Sequence, residues 1–330
     1  MHIPDGFMNM STALGTGAVG AGGLALSLGK LRQDLGDRAA PLMGVTAAAV
    51  FSAQMLNFPV TTGTSGHLIG GVLAAVLLGP WAGVVVVSAV LIVQCFLYQD
   101  GGVLALGANI VNMALIGSLV GYCIYAPIRR MIQGPKGIVV GAVIAAWFSV
   151  LLAAIACSFQ LAASGTYALR PTLTAMIGVH VFIGIGEAII TGLAIAFVLK
   201  TRPDIIHGEP PKLTNGRLEQ AAQVVVGGLA IALVLAVFLS PWASSLPDGL
   251  EWSAEQVAST TNPASRETVD APTVSFAAPI PDYEFPGIQS AAMATSVAGM
   301  IGTLITFGFA FSIGHSVRWQ SPPGSIVNAL

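Results

Sequence analysis

Residues 68–97 read LIGGVLAAVLLGPWAGVVVVSAVLIVQCFL, a run with no charged side chain. A helix crosses the hydrocarbon core of a bilayer with about 20 apolar residues. Proline disrupts a helix interior because it lacks a backbone N–H and its ring clashes with the preceding turn. The run therefore predicts two membrane helices that are joined by a tight cytoplasmic turn at Gly79-Pro80.

The composition of the whole chain agrees with this class of protein. Hydrophobic residues make up 55% of the 330 positions, charged residues only 8%, and the mean hydropathy is +0.81. Soluble globular domains carry about 25% charged residues. The chain is therefore predicted to be an all-α polytopic membrane protein with the lipid bilayer around it. Its net charge of −2 argues against a nucleic-acid partner.

Apolar runs of sufficient length predict about nine transmembrane helices. The expected spans are residues 10–28, 41–57, 62–78, 81–97, 103–128, 137–159, 171–199, 221–239 and 288–313.

The basic residues predict the orientation of these spans, because lysine and arginine are retained preferentially on the cytoplasmic side. With the N-terminus outside and the C-terminus in the cytoplasm, 11 of the 13 lysines and arginines lie inside. The same rule requires an even number of crossings between Lys30 and Arg129, which supports the turn at Gly79-Pro80.

A change in composition divides the chain into two parts. Residues 1–200 form the predicted seven-helix bundle, and the polar, proline-containing segment 201–220 is expected to be a cytoplasmic linker. Residues 221–330 contain the last two spans and an external loop, residues 240–287, that is rich in acidic side chains. This loop either attracts cations or is an ordinary solvated connection.

The first two residues, Met1 and His2, carry a chelating pattern. A free α-amine, a deprotonated backbone amide and an imidazole at these positions supply three nitrogens in fused five- and six-membered rings. A fourth nitrogen would complete the square plane that nitrogen-ligated Ni(II) or Cu(II) favours. The alternative is a frayed terminus, which is common for first residues, although Pro4-Asp5-Gly6 favours a turn that folds the terminus back.

His67 is the candidate for the fourth nitrogen. On the predicted topology it lies near the outer end of the third span, on the same side of the membrane as Met1 and His2. A single histidine beside a span is more often a hydrogen-bonded structural residue. The presence of His2 on the same face favours a metal site composed of Met1, His2 and His67.

Four polar residues inside predicted spans are candidates for a supporting or translocation role, because such residues are costly in a membrane. They are Asn109, Asn112, His180 and Glu187, and two glutamines inside predicted spans, Gln54 and Gln94, are further candidates of the same kind. His180 and Glu187 are seven residues apart and share a helix face. The alternative role is interhelical hydrogen bonding that holds the bundle together.

Several of these motifs resemble one family. The N-terminal MHIPDGF, the segment GTSGH that ends at His67, GANIVNM around Asn109 and the stretch from His180 to Glu187 are similar to nickel/cobalt substrate-binding subunits of energy-coupling-factor transporters, the CbiM/NikM family. The resemblance covers about residues 1–200. PDGLE at Pro247 to Glu251 resembles a module of the NikN companion, so the chain looks like a NikM–NikN fusion.

The resemblance implies a protein of a bacterial or archaeal cell membrane that takes up Ni²⁺ or Co²⁺ as its substrate. It implies metal ligation by the Met1 amine, the His2 amide and imidazole, and the His67 imidazole. It also implies two kinds of partner, namely a membrane coupling (T) subunit and cytoplasmic ATPase subunits. The chain contains no G-x-x-x-x-G-K-[ST] phosphate loop, so no bound ATP and no enzyme activity are expected.

Other functions remain open from the sequence. The PDGLE module favours nickel, and the alternative is a cobalt importer for cobalamin synthesis. A second alternative is a secondary metal transporter driven by protons through His180 and Glu187. An intramembrane metalloenzyme is the least favoured class, because the chain has no H-E-x-x-H motif.

Overall fold

The structure, a computed structural model, describes residues 1–34, 39–60, 63–209, 217–260 and 276–319. The described part is predominantly helical. In chain order, its helices are α1 (Met10–Asp34), α2 (Ala39–Gln54), α3 (Gly71–Leu78), α4 (Pro80–Val93), α5 (Leu106–Asn109), α6 (Gly121–Met131), α7 (Pro135–Ala163), α8 (Leu169–Thr201), α9 (Arg217–Val234), α10 (Gly249–Thr260) and α11 (Ala291–Trp319).

Stretches of π-helix extend or join several of these helices. Gln94–Tyr98 continues α4, Ile110–Val120 joins α5 to α6, and Leu235–Leu239 continues α9. Seven helical segments in the described ranges are long and apolar enough to cross a membrane. In a bilayer a helix satisfies its own backbone hydrogen bonds, which explains why the apolar runs fold this way. The chain is a multi-pass membrane protein.

The turn predicted at Gly79-Pro80 is confirmed. Helix α3 ends at Leu78 and α4 begins at Pro80, which occupies the first helical position where its missing N–H costs nothing. Gly79 between them has a φ of +89°, a backbone conformation that glycine adopts without a steric penalty.

The third predicted span, residues 62–78, is wrong as a continuous helix. Thr62 lies outside the described residues, and Thr64–Gly66 is a β-strand, β2, that pairs antiparallel with β1 (Phe58–Val60). Only the eight residues of α3 are helical, a length of about 12 Å. Residues 64–76 are all buried within the protein, so the non-helical backbone of this segment is shielded from lipid. Within the described residues seven segments are long enough to span a membrane, so the count of nine spans is not confirmed.

The remaining predicted spans coincide with helical segments, and α2 with its 16 residues is the shortest segment once the π-helical stretches are included. The two C-terminal helices α9 and α11 pack against α2, and α11 also contacts α4. The loop between α9 and α11, predicted as an external segment rich in acidic side chains, contains the 12-residue helix α10, which packs on α8. The orientation in the membrane and the division at residues 201–220 stay predictions.

Candidate functional site

The N-terminus is folded into the protein instead of fraying into solvent. Met1 is 4% exposed, His2 9% and Ile3 fully buried. Three hydrogen bonds fix Ile3: Asn109 accepts one from its N–H at 2.8 Å and donates one to its carbonyl oxygen at 3.1 Å, and Gly102 donates a second bond to that oxygen at 2.9 Å. The backbone that follows His2 is therefore held in place.

The turn at Pro4-Asp5-Gly6, predicted from sequence, is also present. Gly6 has a φ of +85°, and the Asp5 carboxylate accepts hydrogen bonds from the backbone N–H groups of Val103 and Leu104 at 3.1 and 2.9 Å. Asp5 thus attaches the terminal segment to the turn that precedes α5.

Met1 and His67 are in direct contact at the centre of the site. The α-amino nitrogen of Met1 lies 2.5 Å from Nε2 of His67. The other ring nitrogen, Nδ1, is 3.0 Å from the carbonyl oxygen of Leu68. Because a carbonyl oxygen only accepts, Nδ1 carries the hydrogen and Nε2 presents its lone pair to the amine. His67 is therefore oriented as a nitrogen ligand would be.

His2 stacks on His67, with ring centroids 5.0 Å apart and an interplanar angle of 18°. Its Nε2 lies 3.2 Å from the side-chain oxygen of Gln94, and its Nδ1 lies 3.0 Å from a carboxylate oxygen of Asp100. The Gln94 and Asp100 oxygens are both acceptors, and a neutral ring carries one hydrogen, so Nδ1 has a free lone pair only in the tautomer that donates from Nε2 to Gln94. Nδ1 is also the nitrogen that closes a six-membered chelate ring with the His2 amide.

Burial keeps both imidazoles in the neutral form. Loss of solvent, reinforced by the nearby Met1 ammonium, lowers the pKa of His2 and that of His67 to about 3. A neutral imidazole is the form that binds a metal ion. The two rings therefore need no deprotonation to act as ligands near neutral pH.

Two carboxylates adjoin these donors. Asp248, from the segment before α10, accepts a hydrogen bond from the Met1 ammonium at 2.7 Å. Burial alone would raise the pKa of Asp248, but the ammonium holds it below its usual range. On the other side Asp100 accepts a hydrogen bond from the Tyr283 hydroxyl at 2.5 Å, and burial raises the pKa of Asp100.

The candidate polar residues occupy different environments. Asn109 holds Ile3 through its two hydrogen bonds. Asn112 exchanges two hydrogen bonds of 2.8 Å with Gln160 of α7, an interhelical contact away from the terminus. His180 donates from Nδ1 to the carbonyl oxygen of Met176 at 2.7 Å and lines a small cavity together with Met1 and His67.

Glu187 fixes the segment that carries His67. Its two carboxylate oxygens accept hydrogen bonds from the backbone N–H groups of Ile69 at 2.5 Å and Gly70 at 2.9 Å. The residue at the N-cap position of α3, Gly70, has no side chain to cap the helix. Glu187 of α8 therefore caps the start of α3 across the bundle and positions the His67 loop.

Asp100 and Asp248 were not predicted from the sequence as members of this cluster. The sequence could have indicated Asp100 as a functional residue, because it is the only acidic residue between Asp37 and Glu187 in a largely apolar stretch. Apart from the PDGLE motif, nothing in the sequence relates Asp248 to the N-terminus, because it is 247 residues from Met1. Within the described ranges no group of three or more His, Cys, Asp or Glu side chains is arranged to hold a metal ion; the donors that meet at this site include a backbone amine.

Comparison with known proteins identifies two regions. Residues 2–205 match the family model CbiM, described as the cobalt uptake substrate-specific transmembrane region, and residues 222–318 match the PDGLE domain. A protein named as a fused nickel transport protein NikMN, from Archaeoglobus fulgidus, is 35% identical over 320 residues, which cover 96% of this chain and 99% of the relative. The fused nickel transport protein NikMN of Rhodobacter capsulatus is 30% identical, with 95% and 97% covered.

A solved structure is also similar. The crystal structure of a truncated transition metal transporter superposes with a TM-score of 0.55 and 34% sequence identity, and the match covers 61% of this chain and 99% of that one. The family model, the two relatives and this structure agree, and the chain belongs to the CbiM family of nickel and cobalt transport proteins, with a PDGLE domain fused at its C-terminal end.

Proposed function

We propose that this chain is the substrate-capturing component of an ATP-driven importer of the energy-coupling-factor type, and that it binds Ni²⁺ through its own N-terminus. The proposed ligands are the Met1 amine, the His2 amide and Nδ1, and Nε2 of His67. The observation that supports this most is the buried contact of 2.5 Å between the Met1 nitrogen and His67 Nε2.

That distance fits two ligands of one ion. Two nitrogens that each lie about 2.0 Å from a metal at a right angle are separated by about 2.8 Å. The Met1–His67 distance is close to this separation. An ion bound between them would replace the hydrogen bond by two metal–nitrogen bonds with little movement of either residue.

The backbone around His2 also supports the proposal. The hydrogen bonds of Asn109 and Gly102 fix Ile3, so the His2 amide is held at a defined position next to the amine. For His2 Nδ1 to become a ligand, it must leave Asp100, which is 3.0 Å away. The remaining contact of His2, to Gln94, involves the other ring nitrogen.

Binding of a divalent ion by these ligands leaves the net charge of the buried site unchanged. The metal ion brings two positive charges, and the amine and the amide each lose a proton when they bind it. The total charge of the buried group is therefore the same before and after binding. A buried charge without compensation would be costly, so this exchange favours binding of a divalent ion.

Nickel is the proposed substrate, because the fused relatives from Archaeoglobus fulgidus and Rhodobacter capsulatus are named as nickel transport proteins. The family model also covers cobalt uptake, and Co²⁺ is the alternative substrate. Copper binds nitrogen sites at least as tightly as nickel, so selection between them depends on availability. The coupling subunit and the ATPases are proposed partners on the basis of the family resemblance.

A proton-driven secondary transporter is less well supported. Glu187 uses both carboxylate oxygens to hold the backbone of Ile69 and Gly70, and His180 donates to its own helix. These contacts give both residues structural roles. Uptake of Ni²⁺ into liposomes by the purified chain alone under a pH gradient would support the secondary transporter instead.

The test of the proposal is a chain with one glycine added before Met1. The added residue moves the amine away from His67, and a Ni²⁺ titration should show loss of high-affinity binding, while circular dichroism should show that the helical fold is kept. The matched control adds the same glycine after Leu330 and should bind normally. Normal binding by the N-terminally extended chain would overturn the proposal.

A further inference from the structure

The PDGLE motif, Pro247 to Glu251, forms the N-terminal cap of α10. The Asp248 oxygen Oδ1 accepts hydrogen bonds from the backbone N–H groups of Leu250 and Glu251, each at 2.8 Å, and Glu251 accepts one from the Asp248 N–H at 3.1 Å. This reciprocal pair is a capping box, in which each side chain satisfies a backbone donor near the other. It uses only one of the two Asp248 oxygens.

The capped turn is attached to the strand that precedes His67. The backbone N–H of Ser65 donates to the Pro247 carbonyl oxygen at 2.8 Å, and the Ser65 hydroxyl donates to the Leu246 carbonyl oxygen at the same distance. The Thr64 hydroxyl also donates to Pro247, at 2.9 Å. The C-terminal module is therefore bonded to a strand that ends one residue before a proposed ligand.

Gly249 allows the turn to approach α8 closely. A Cβ atom at this position would lie 2.7 Å from a side-chain carbon of Ile183 and 2.9 Å from Cε1 of His180. A residue other than glycine would fit here only if these side chains or the turn shifted. Gly249 and His180 line the same small cavity as Met1 and His67, so the turn forms one wall of the proposed metal site.

The second oxygen of Asp248 contacts the Met1 amine at 2.7 Å. An amine that binds a metal through its lone pair still has two N–H groups, and one of them can remain bonded to this oxygen. The capping box fixes the carboxylate and the carboxylate in turn fixes the amine. The same contact is therefore compatible with both the metal-free and the metal-bound site.

We propose that Asp248 is a positioning residue of the metal site, supplied by the PDGLE domain, which orients the Met1 amine so that its lone pair and that of His67 meet at one ion. This inference rests on the proposed function. It accounts for four of the five positions of the PDGLE motif, because proline and glycine shape and seat the turn, glutamate completes the cap, and aspartate reaches the amine.

The test replaces Asp248 by residues that keep the helix cap. Asparagine and serine cap helices about as well as aspartate, but D248N is uncharged and D248S is too short to reach the amine. Loss of a residue that hydrogen-bonds to a metal ligand typically weakens metal affinity about 10- to 100-fold. We expect this loss of Ni²⁺ affinity in both variants. The absorption spectrum of bound Ni²⁺ should also change, because the amine is no longer held in place.

The matched control is Glu255→Gln, which removes the same charge from the same helix without contact to Met1. It should leave both the Ni²⁺ affinity and the spectrum unchanged. The inference would be overturned if D248N and D248S kept the wild-type affinity and spectrum while the N-terminally extended chain lost binding. The proposed function would remain intact in that case. Normal binding by the extended chain would overturn the proposed function itself.

Discussion

Asn109 and Ile3 are joined by two hydrogen bonds although 106 positions separate them in the sequence. The Asn109 amide thereby binds the backbone of Ile3 as a neighbouring strand would. Because Ile3 follows His2 directly, this pair determines where the His2 amide nitrogen lies. The contact links the helix pair α5–α6 to the proposed chelating residues.

Replacement of Asn109 by alanine should therefore weaken Ni²⁺ binding. The variant loses both bonds to Ile3, and we expect an affinity that is lower by about 10- to 100-fold, the usual effect of losing a residue that orients a ligand. A Ni²⁺ titration of the purified variant measures this. Asn112→Ala is the matched control, because Asn112 contacts Gln160 and not the terminus; equal loss of affinity in both variants would contradict the prediction.

Replacement of His67 by alanine should abolish high-affinity binding. The variant lacks the fourth nitrogen ligand. Its Ni²⁺ affinity should therefore fall by more than the roughly hundredfold loss that follows removal of a residue that only orients a ligand. His180→Ala is the control, since His180 lines the same cavity but its Nδ1 hydrogen bonds to Met176. If His180→Ala lost as much affinity as His67→Ala, His180 would have to be considered as a ligand.

Glu187→Gln should destabilise the segment that carries His67. A glutamine offers one acceptor oxygen in place of two, so one of the N–H groups of Ile69 and Gly70 loses its partner. An unsatisfied buried donor costs about 1–3 kcal/mol. Thermal unfolding of the metal-free protein should show this loss, and Ni²⁺ affinity should fall with it.

The control for Glu187 is Thr191→Val, one turn further along α8. The Thr191 hydroxyl is buried and has no hydrogen-bond partner in the described part of the chain. Removal of that hydroxyl should leave the unfolding temperature unchanged or raise it. Equal unfolding temperatures for wild type and Glu187→Gln would show that the carboxylate does not hold the loop.

The stability of the metal-free protein should depend on pH through His2 and His67. Both have a folded-state pKa of about 3, whereas an unfolded histidine titrates near a pH of about 6.5. Between these values the unfolded chain binds more protons than the folded one, so stability falls as pH decreases through this window. His67→Gln removes one of the two groups and should show a smaller decrease in melting temperature on acidification through this window. An unchanged pH dependence in this variant would contradict the assignment.

Much of the fold was predictable from the chain alone. Membrane helices are recognised by length and hydrophobicity, which are local properties, and the break at Gly79-Pro80 follows from the backbone restrictions of two residues. The third span was not predictable in this way. Its apolar residues would suit a helix, but Thr64–Gly66 pairs with β1, and Glu187 binds the backbone that follows.

The candidate site was predictable in part. The chemistry of an N-terminal amine followed by histidine is contained in the first two residues, and a polar residue such as Asn109 in an apolar run indicates a special role. Their distances were not predictable, nor was the position of Asp100. A hydrogen bond between Met1 and Asp248 depends on how α8 and α10 pack, and no local pattern contains that information.

The sequence by itself determined that this is a multi-pass membrane protein, where most of its helices lie, and which residues at its N-terminus are candidate metal ligands. These properties depend on composition and on neighbouring residues. The tertiary structure alone decided that Met1 lies against His67, that Glu187 holds the backbone after His67, and that Asp248 reaches the amine from the C-terminal module. Contacts between distant residues are set by packing of the whole chain, because the free energy of burying these polar groups is favourable only when all of their partners are in place.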